Sequence, residues 1–299
     1  MAGDAQIAAA LELRDLRHRY RRAADDVLSI SYVFTPGRTI LLGPNGAGKS
    51  TLLQLCANWI RLQHGAIWLR AEGQAIPSTT RAYRACVGFM PQHPAFIRGM
   101  SARDQLVYSG WFAGLSEADA HRQASVWLER TNLSRDAGKR CSELSGGMQR
   151  RLAFAAAAIA EPPVLLLDEP TVGLDPHERS TFREILMDYD DNAIVLISTH
   201  QIDDLDMLAD EIAVLSEGEL VFGGLTDVFL RLADAGLPTL ARRRLTQRRC
   251  GRGVRCERHS RAYECGMVRI HILFSPDASS PEQRPSTVDL SGGADLSLE

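Results

Sequence analysis

The sequence predicts an α/β fold whose central sheet is largely parallel, and three observations carry that prediction. The apolar run from Thr39 to Leu42 feeds the glycine-rich stretch LGPNGAGKST, which is followed by a helical pattern from Lys49 to about Ile60. A second run, Val164 to Leu167, is apolar throughout, as strands buried on both faces are. A third, Ala193 to Ser198, has the same character, and helical segments separate the three.

The glycine-rich stretch fits G-x-x-x-x-G-K-[ST], with Gly43 opening it and Gly48, Lys49 and Ser50 closing it. Between them lie Pro44, Asn45, Gly46 and Ala47. Such a loop turns consecutive N–H groups toward phosphate at a helix N-terminus that already favours anions. Lys49 supplies a charge for terminal phosphates, Ser50 a hydroxyl for magnesium, and Thr51 a further contact beside them.

Taken in order, Leu11 to Tyr20 and Val27 to Phe34 alternate apolar and polar residues, as half-buried strands do. Pro36 and Gly37 then turn the chain into the strand before the loop. Tyr20 stands at a strand end from which it can stack on a nucleotide base, a contact of roughly 1–3 kcal/mol that anchors without discriminating strongly. Ala66 to Leu69 and Ala85 to Met90 are the next expected strands. Gln92 follows the second, at the C-terminal edge where ligands gather on open α/β sheets, with its amide in reach of magnesium and of water. From Ser101 to about Arg130 the pattern is helical and Gly114 divides it in two. Its aromatic residues are expected mainly to pack.

LSGGMQRR, Leu144 to Arg151, opens an alanine-rich helix running to about Ala160. Ser145 is its expected N-cap, while Gly146 and Gly147 leave its first amides open to an anion. A second phosphate-binding helix start, without a lysine of its own, is explained economically if Ser145 and Gly147 close over a nucleotide held by another copy. Pro162 and Pro163 end the helix, and the buried strand after them runs into Asp168 and Glu169. Two acids at such a place carry desolvated charge that a structural role does not explain. Asp168 is the candidate to hold magnesium through water, and Glu169 to polarise an attacking water. Asp175 follows in TVGLDP, then a helix from about His177 to Asp190, then the strand that ends at Thr199 and His200. The imidazole of His200 can orient water and Glu169. Glu211 to Ser216 and Glu219 to Phe222 form an expected hairpin.

Composition narrows the function. A net charge of -3 argues against wholesale nucleic-acid binding. No run of about 18 apolar residues occurs, so the chain is not expected to span a bilayer itself. The first residues lack a basic start and apolar core, which points to a cytosolic protein. Six spread cysteines point to reduced thiols.

The order of GPNGAGKST, Gln92, LSGGMQRR, VLLLDEP, GLDP and His200 resembles the ATP-binding subunit of an ABC transporter, over roughly residues 10 to 230. LSGGM ahead of LLLDEP is the most specific part. The resemblance implies a P-loop NTPase of ABC type with an N-terminal antiparallel β subdomain, a RecA-like core and an inserted helical subdomain at about 93–160. It assigns Tyr20 to the aromatic loop, Gly43 to Thr51 to Walker A and Gln92 to the Q-loop. Ser145 to Gln149 fall in the signature, Asp168 and Glu169 in Walker B, Asp175 in the D-loop and His200 in the switch. It implies ATP and Mg2+ as cofactors, and two composite sites in a head-to-tail dimer of this chain or with a paralogue. It also implies separate transmembrane permease subunits at the inner face of the cell membrane. Phe96, Arg98, Met100 and Tyr108 are the candidate contacts for these. Within the family the sequence is most similar to exporters of drugs, antibiotics and bacteriocins. An importer ATPase would differ in its membrane subunits. A soluble ABC ATPase would carry two cassettes or a long heptad insertion, and the sequence has neither.

The domains expected are 1–234 for the ATP-binding domain and 235–299 for an appendage. Residues 241–261 hold nine arginines, a run read as solvated or disordered, with acidic lipid headgroups as the alternative partner. Cys250, Cys256, His259 and Cys265 have spacings that match no common zinc finger. Val268 to Phe274 is an expected strand, and the tail after it is expected to be flexible.

Overall fold

The structure, a computed structural model, describes residues 9–20, 28–71, 73–199, 209–234, 245–246 and 271–272. Ten strands make one mixed sheet in the order β5-β4-β1-β2-β10-β9-β3-β8-β7-β6. On one side β1 (Ala10–His18), β2 (Leu28–Phe34), β4 (His64–Ala71) and β5 (Gln74–Pro77) pair antiparallel. The alternating burial of β1 and β2 is that of strands with one face on the core. On the other side β9 (Glu211–Ser216), β3 (Gly37–Leu42), β8 (Ile194–Ser198), β7 (Val164–Asp168) and β6 (Val87–Met90) run parallel. β7 and β8 are buried along their whole length, because helices cover both faces of a parallel sheet. β10 (Glu219–Leu225) joins the halves, antiparallel to β9 and parallel to β2.

Helix α1 (Lys49–Cys56) follows β3, and the five-residue α2 (Arg81–Ala85) precedes β6. Then come α3 (Ala102–Phe112), α4 (Glu117–Arg130) and α5 (Gly146–Ala158), inserted between β6 and β7. α6 (Pro176–Met187) links β7 to β8, and α7 (Thr226–Asp234) follows β10. The starts of α3 to α6 are set by sequence. Ser101, Ser116, Ser145 and Asp175 each accept a backbone N–H three residues on, which satisfies a donor the helix leaves unpaired. Gly114, at φ 100, makes the turn between α3 and α4.

Three expectations need correction. α1 stops at Cys56 rather than Ile60, since Asn58 turns the chain at φ 53. Ala85 ends helix α2 and does not start β6; Cys86, the C-cap of α2, bonds its N–H to the Tyr83 carbonyl, and the strand begins only at Val87. On α3 the aromatic residues do not pack away: Trp111 is 63% and Phe112 78% exposed, whereas Trp127 on α4 is buried.

By its contacts the chain divides into residues 1–229 and 230–299. In the second unit, β11 (Leu245–Thr246) pairs antiparallel with β12 (His271–Ile272), the latter inside the expected strand at 268–274. Cys250, Cys256, His259, Cys265 and most of the arginine run lie outside the described residues.

An aromatic cluster holds the inserted helices to the sheet layer. Phe154 of α5 packs edge to face on Trp127 of α4, at 5.8 Å, and on Phe182 of α6, at 5.4 Å. All three are fully buried. Phe154→Ala is expected to lower the unfolding free energy by about 3–5 kcal/mol in denaturant titration, and a loss under about 1 kcal/mol contradicts this packing.

Candidate functional site

Four strand ends meet at one edge of the sheet. β3, β8, β7 and β6 are parallel neighbours, so the residues after each emerge side by side: Gly43 to Gly48, Thr199, Glu169 and Gln92. This is the edge of an open α/β sheet where ligand sites form.

The loop after β3 has little freedom. Gly43 lies at φ 150 with the Leu215 carbonyl so near that an added Cβ would stand 2.2 Å from it, which no side chain tolerates. Lys49, buried at the start of α1, donates from Nζ to the carbonyls of Gly43 and Pro44 at 2.6 and 3.1 Å. Burial pushes its ammonium below the ordinary value, and the charges of Glu169 and Asp168 pull it back up. Those acids thus face the same space as the lysine.

Asp168 is the last residue of β7 and 2% exposed. Its Oδ1 accepts from Ser50 Oγ at 3.0 Å and from Ser198 Oγ at 2.6 Å. Glu169 adopts φ 47, a left-handed conformation that costs about 1–2 kcal/mol for a residue with a side chain. Its N–H, held by Ser198 Oγ at 2.8 Å and the Ser198 carbonyl at 3.2 Å, fixes the turn. Across it, Gln92 Nε2 approaches Glu169 Oε2 at 3.4 Å. The donor chemistry fits magnesium, which takes oxygen ligands and keeps several of its waters: a serine hydroxyl and a carboxylate stand together here, in hydrogen bond at 3.0 Å. Among the described residues no group of three or more His, Cys, Asp and Glu gathers in metal-binding array. Tyr20, 45% exposed, shares a hydrogen bond of 3.2 Å with Thr51 Oγ1, which sets its ring beside the loop.

The start of α5 has a different setting. Ser145 and Gly146 are exposed, and nothing stands where a side chain on Gly146 would go. Gly147 is buried against α6, with the Glu178 carboxylate 2.4 Å from the position of an added Cβ. A side chain at this position would displace the end of the Glu178 side chain. Gln149 turns inward and donates to the carbonyls of Leu144 and Cys141, at 3.1 and 3.2 Å. Asp175 caps α6. Phe96, Arg98 and Met100 line one cavity together with Gln149, whereas Tyr108 lines another between α3 and α4. His200 lies outside the described residues.

Sequence reasoning overlooked two residues of this region. Ser198 bonds both acids, and its signal was a lone hydroxyl closing an otherwise apolar buried strand. Arg150 donates from Nη1 to the Gln92 carbonyl at 2.7 Å, which nothing in the spacing of LSGGMQRR discloses.

The ABC transporter family model matches residues 28–172. The chain is 36% identical over 214 residues to the Nod factor export ATP-binding protein I of Burkholderia lata, covering 70% of each chain. It is 33% identical over 268 residues to the bovine (Bos taurus) retinal-specific phospholipid-transporting ATPase ABCA4, spanning 88% of this chain but only 11% of that protein. Among solved structures, an ATP-binding subunit of an ABC transporter superposes with a TM-score of 0.64 at 27% identity, over 75% of this chain and 93% of the other.

Ser198→Ala would leave the buried Asp168 carboxylate one donor short. The expected loss is about 1–3 kcal/mol of unfolding free energy in thermal or denaturant melts. An unchanged melting curve would show that this hydroxyl does not support the acid.

Proposed function

The chain belongs to the ATP-binding proteins of ABC transporters, and we propose that its ATPase domain drives export through separate membrane-spanning subunits, using two nucleotide sites completed by dimerisation. The observation that carries the catalytic part is the meeting of Ser50, Asp168, Glu169 and Gln92 at one sheet edge beside Lys49. The direction of transport rests on likeness to the Nod factor export protein, and the cargo class proposed is a drug, antibiotic or peptide. Among the described residues no helix is long and apolar enough to cross a membrane.

The roles follow from the geometry. ATP binds with its phosphates in the loop from Gly43 through Gly48, on the N–H groups of Asn45, Gly46, Ala47 and Gly48 beyond Pro44, which has none to offer, and with its base on Tyr20. Lys49, whose present acceptors are neutral carbonyls, makes stronger charge-assisted bonds to the terminal phosphates. Ser50, Asp168 and Gln92 would hold Mg2+, which supplies charge neutralisation at the β- and γ-phosphates. Thr51 adds a contact beside them. Glu169 polarises the water that attacks the γ-phosphorus, and Gln92 orients it. The water's proton moves toward the Glu169 carboxylate and the β-phosphate leaves as ADP. His200 keeps its role of orienting water and Glu169 on sequence grounds. From a second copy, or a paralogue, the exposed Ser145 and Gly146 present a helix start to the same γ-phosphate, with Asp175 at the contact; Gly147 and Gln149, expected beside them, are turned to the protein interior, where Gln149 bonds the Leu144 and Cys141 carbonyls. ATP favours the closed dimer because only there does it touch both halves, and hydrolysis removes that preference. The proposed ATP-binding domain is 1–234, with 235–299 as its appendage, and the working place is the cytoplasmic face of a membrane.

Glu169→Gln keeps the shape and removes the base. Turnover of ATP is expected to fall about 10² to 10⁴-fold. Nucleotide binding is retained, and sedimentation shows an ATP-dependent dimer. Undiminished turnover would remove Glu169 from the role of base.

A further inference from the structure

We propose that Arg150 is a positioning residue for hydrolysis, one that ties the signature helix to the Gln92 loop and so sets the Gln92 amide against Glu169. The inference rests on the ATPase reading above. Arg150 lies on α5, one turn beyond Gly146. Its guanidinium reaches two functional segments at once: Nη1 donates to the Gln92 carbonyl at 2.7 Å and Nη2 to the Val172 carbonyl at 3.5 Å. Val172 in turn donates its N–H to the Glu169 carbonyl at 3.3 Å, closing the turn that carries the general base. One side chain thus links the helix start that meets a second copy's nucleotide, the glutamine loop and the turn after the two acids.

Three features separate Arg150 from an ordinary surface arginine. It is partly buried, and burial lowers its pKa while Glu169 and Asp168 draw it up, so the cation sits within electrostatic reach of both acids. It bonds the main chain of Gln92 and leaves the amide free to approach Glu169. Its neighbour Arg151 faces elsewhere, bonding the Thr131 carbonyl at 3.1 Å and pairing with Glu178, and so fixes α5 to α4 and α6. Holding the helix in place is the work of Arg151, and Arg150 is spared for the loop. A planar guanidinium can span two carbonyls in this way and a lysine ammonium cannot do so with the same geometry.

The test uses the full chain and compares steady-state ATP hydrolysis of the unsubstituted protein, Arg150→Gln, Arg150→Lys, Gln92→Ala and the double variant Arg150→Gln/Gln92→Ala. Arg150→Gln is expected to lower kcat about tenfold with KM for ATP held within about twofold, and Arg150→Lys to fall between. Because Arg150 acts through Gln92, adding Arg150→Gln to Gln92→Ala should cost little more than Gln92→Ala alone. Additive losses, a change confined to KM, or an unchanged kcat each overturn the proposal. Should Arg150→Gln not fold, Arg150→Lys in both backgrounds reads the same coupling. Glu169→Gln is run alongside: undiminished turnover there overturns the proposed mechanism, whereas additivity overturns only the role of Arg150.

Discussion

The Asp168 carboxylate is the constraint from which the site follows. A carboxylate that is 2% exposed at the end of a fully buried strand must be met by donors, because an unpartnered charge there costs several kcal/mol. Two hydroxyls meet it, Ser50 at the start of α1 and Ser198 at the end of β8. Satisfying one charge therefore brings together a helix start and two strand ends from segments 118 and 30 residues away. The same Ser198 anchors the N–H of Glu169 in its left-handed turn, so the strained residue and the buried acid share a support. Strain of this kind persists where the surroundings over-determine it, as they do here.

A second constraint acts on the helical insertion. The Gly147 backbone lies against Glu178, and Arg151 pairs with that same carboxylate. With Phe154 packed on Phe182, α5 is fixed to α6 by contact, charge and aromatic burial at once. The exposed Ser145 and Gly146 are thus presented on a helix that is rigidly held. The proposed contact with a second copy would benefit, since less order has to be imposed on association.

Much of this was legible in the sequence where local rules decide. The apolar runs gave β3, β7 and β8 because strands buried on both faces have no polar alternation to confuse them. Ser145 was legible as a helix start through capping chemistry, whereas the helix expected from about His177 starts at Pro176, capped by Asp175. Short elements were not: β5 has four residues at the sheet edge and α2 five, too few for a period to emerge. The sheet order was not legible either, since pairing β3 with β8 joins residues as distant in the chain as Gly37 and Ile194 on no local signal. Ser198 and Arg150 were missed for a related reason. Their importance lies in partners distant in the chain, a serine at a strand end and an arginine in a helix being ordinary in themselves. The exposed Trp111 and Phe112 went the other way, as a helical apolar pattern does not say which face a neighbour covers.

The central claim is that Asp168, held by Ser50 and Ser198, is where the metal joins the nucleotide. The most direct measurement is calorimetric titration of ATP into the unsubstituted chain and into Asp168→Asn, each with and without Mg2+. The account requires Mg2+ to tighten ATP binding in the unsubstituted chain, and requires Asp168→Asn to lose most of that gain while its metal-free affinity stays within about threefold. An equal gain from Mg2+ in both proteins would contradict it and move the metal away from this carboxylate.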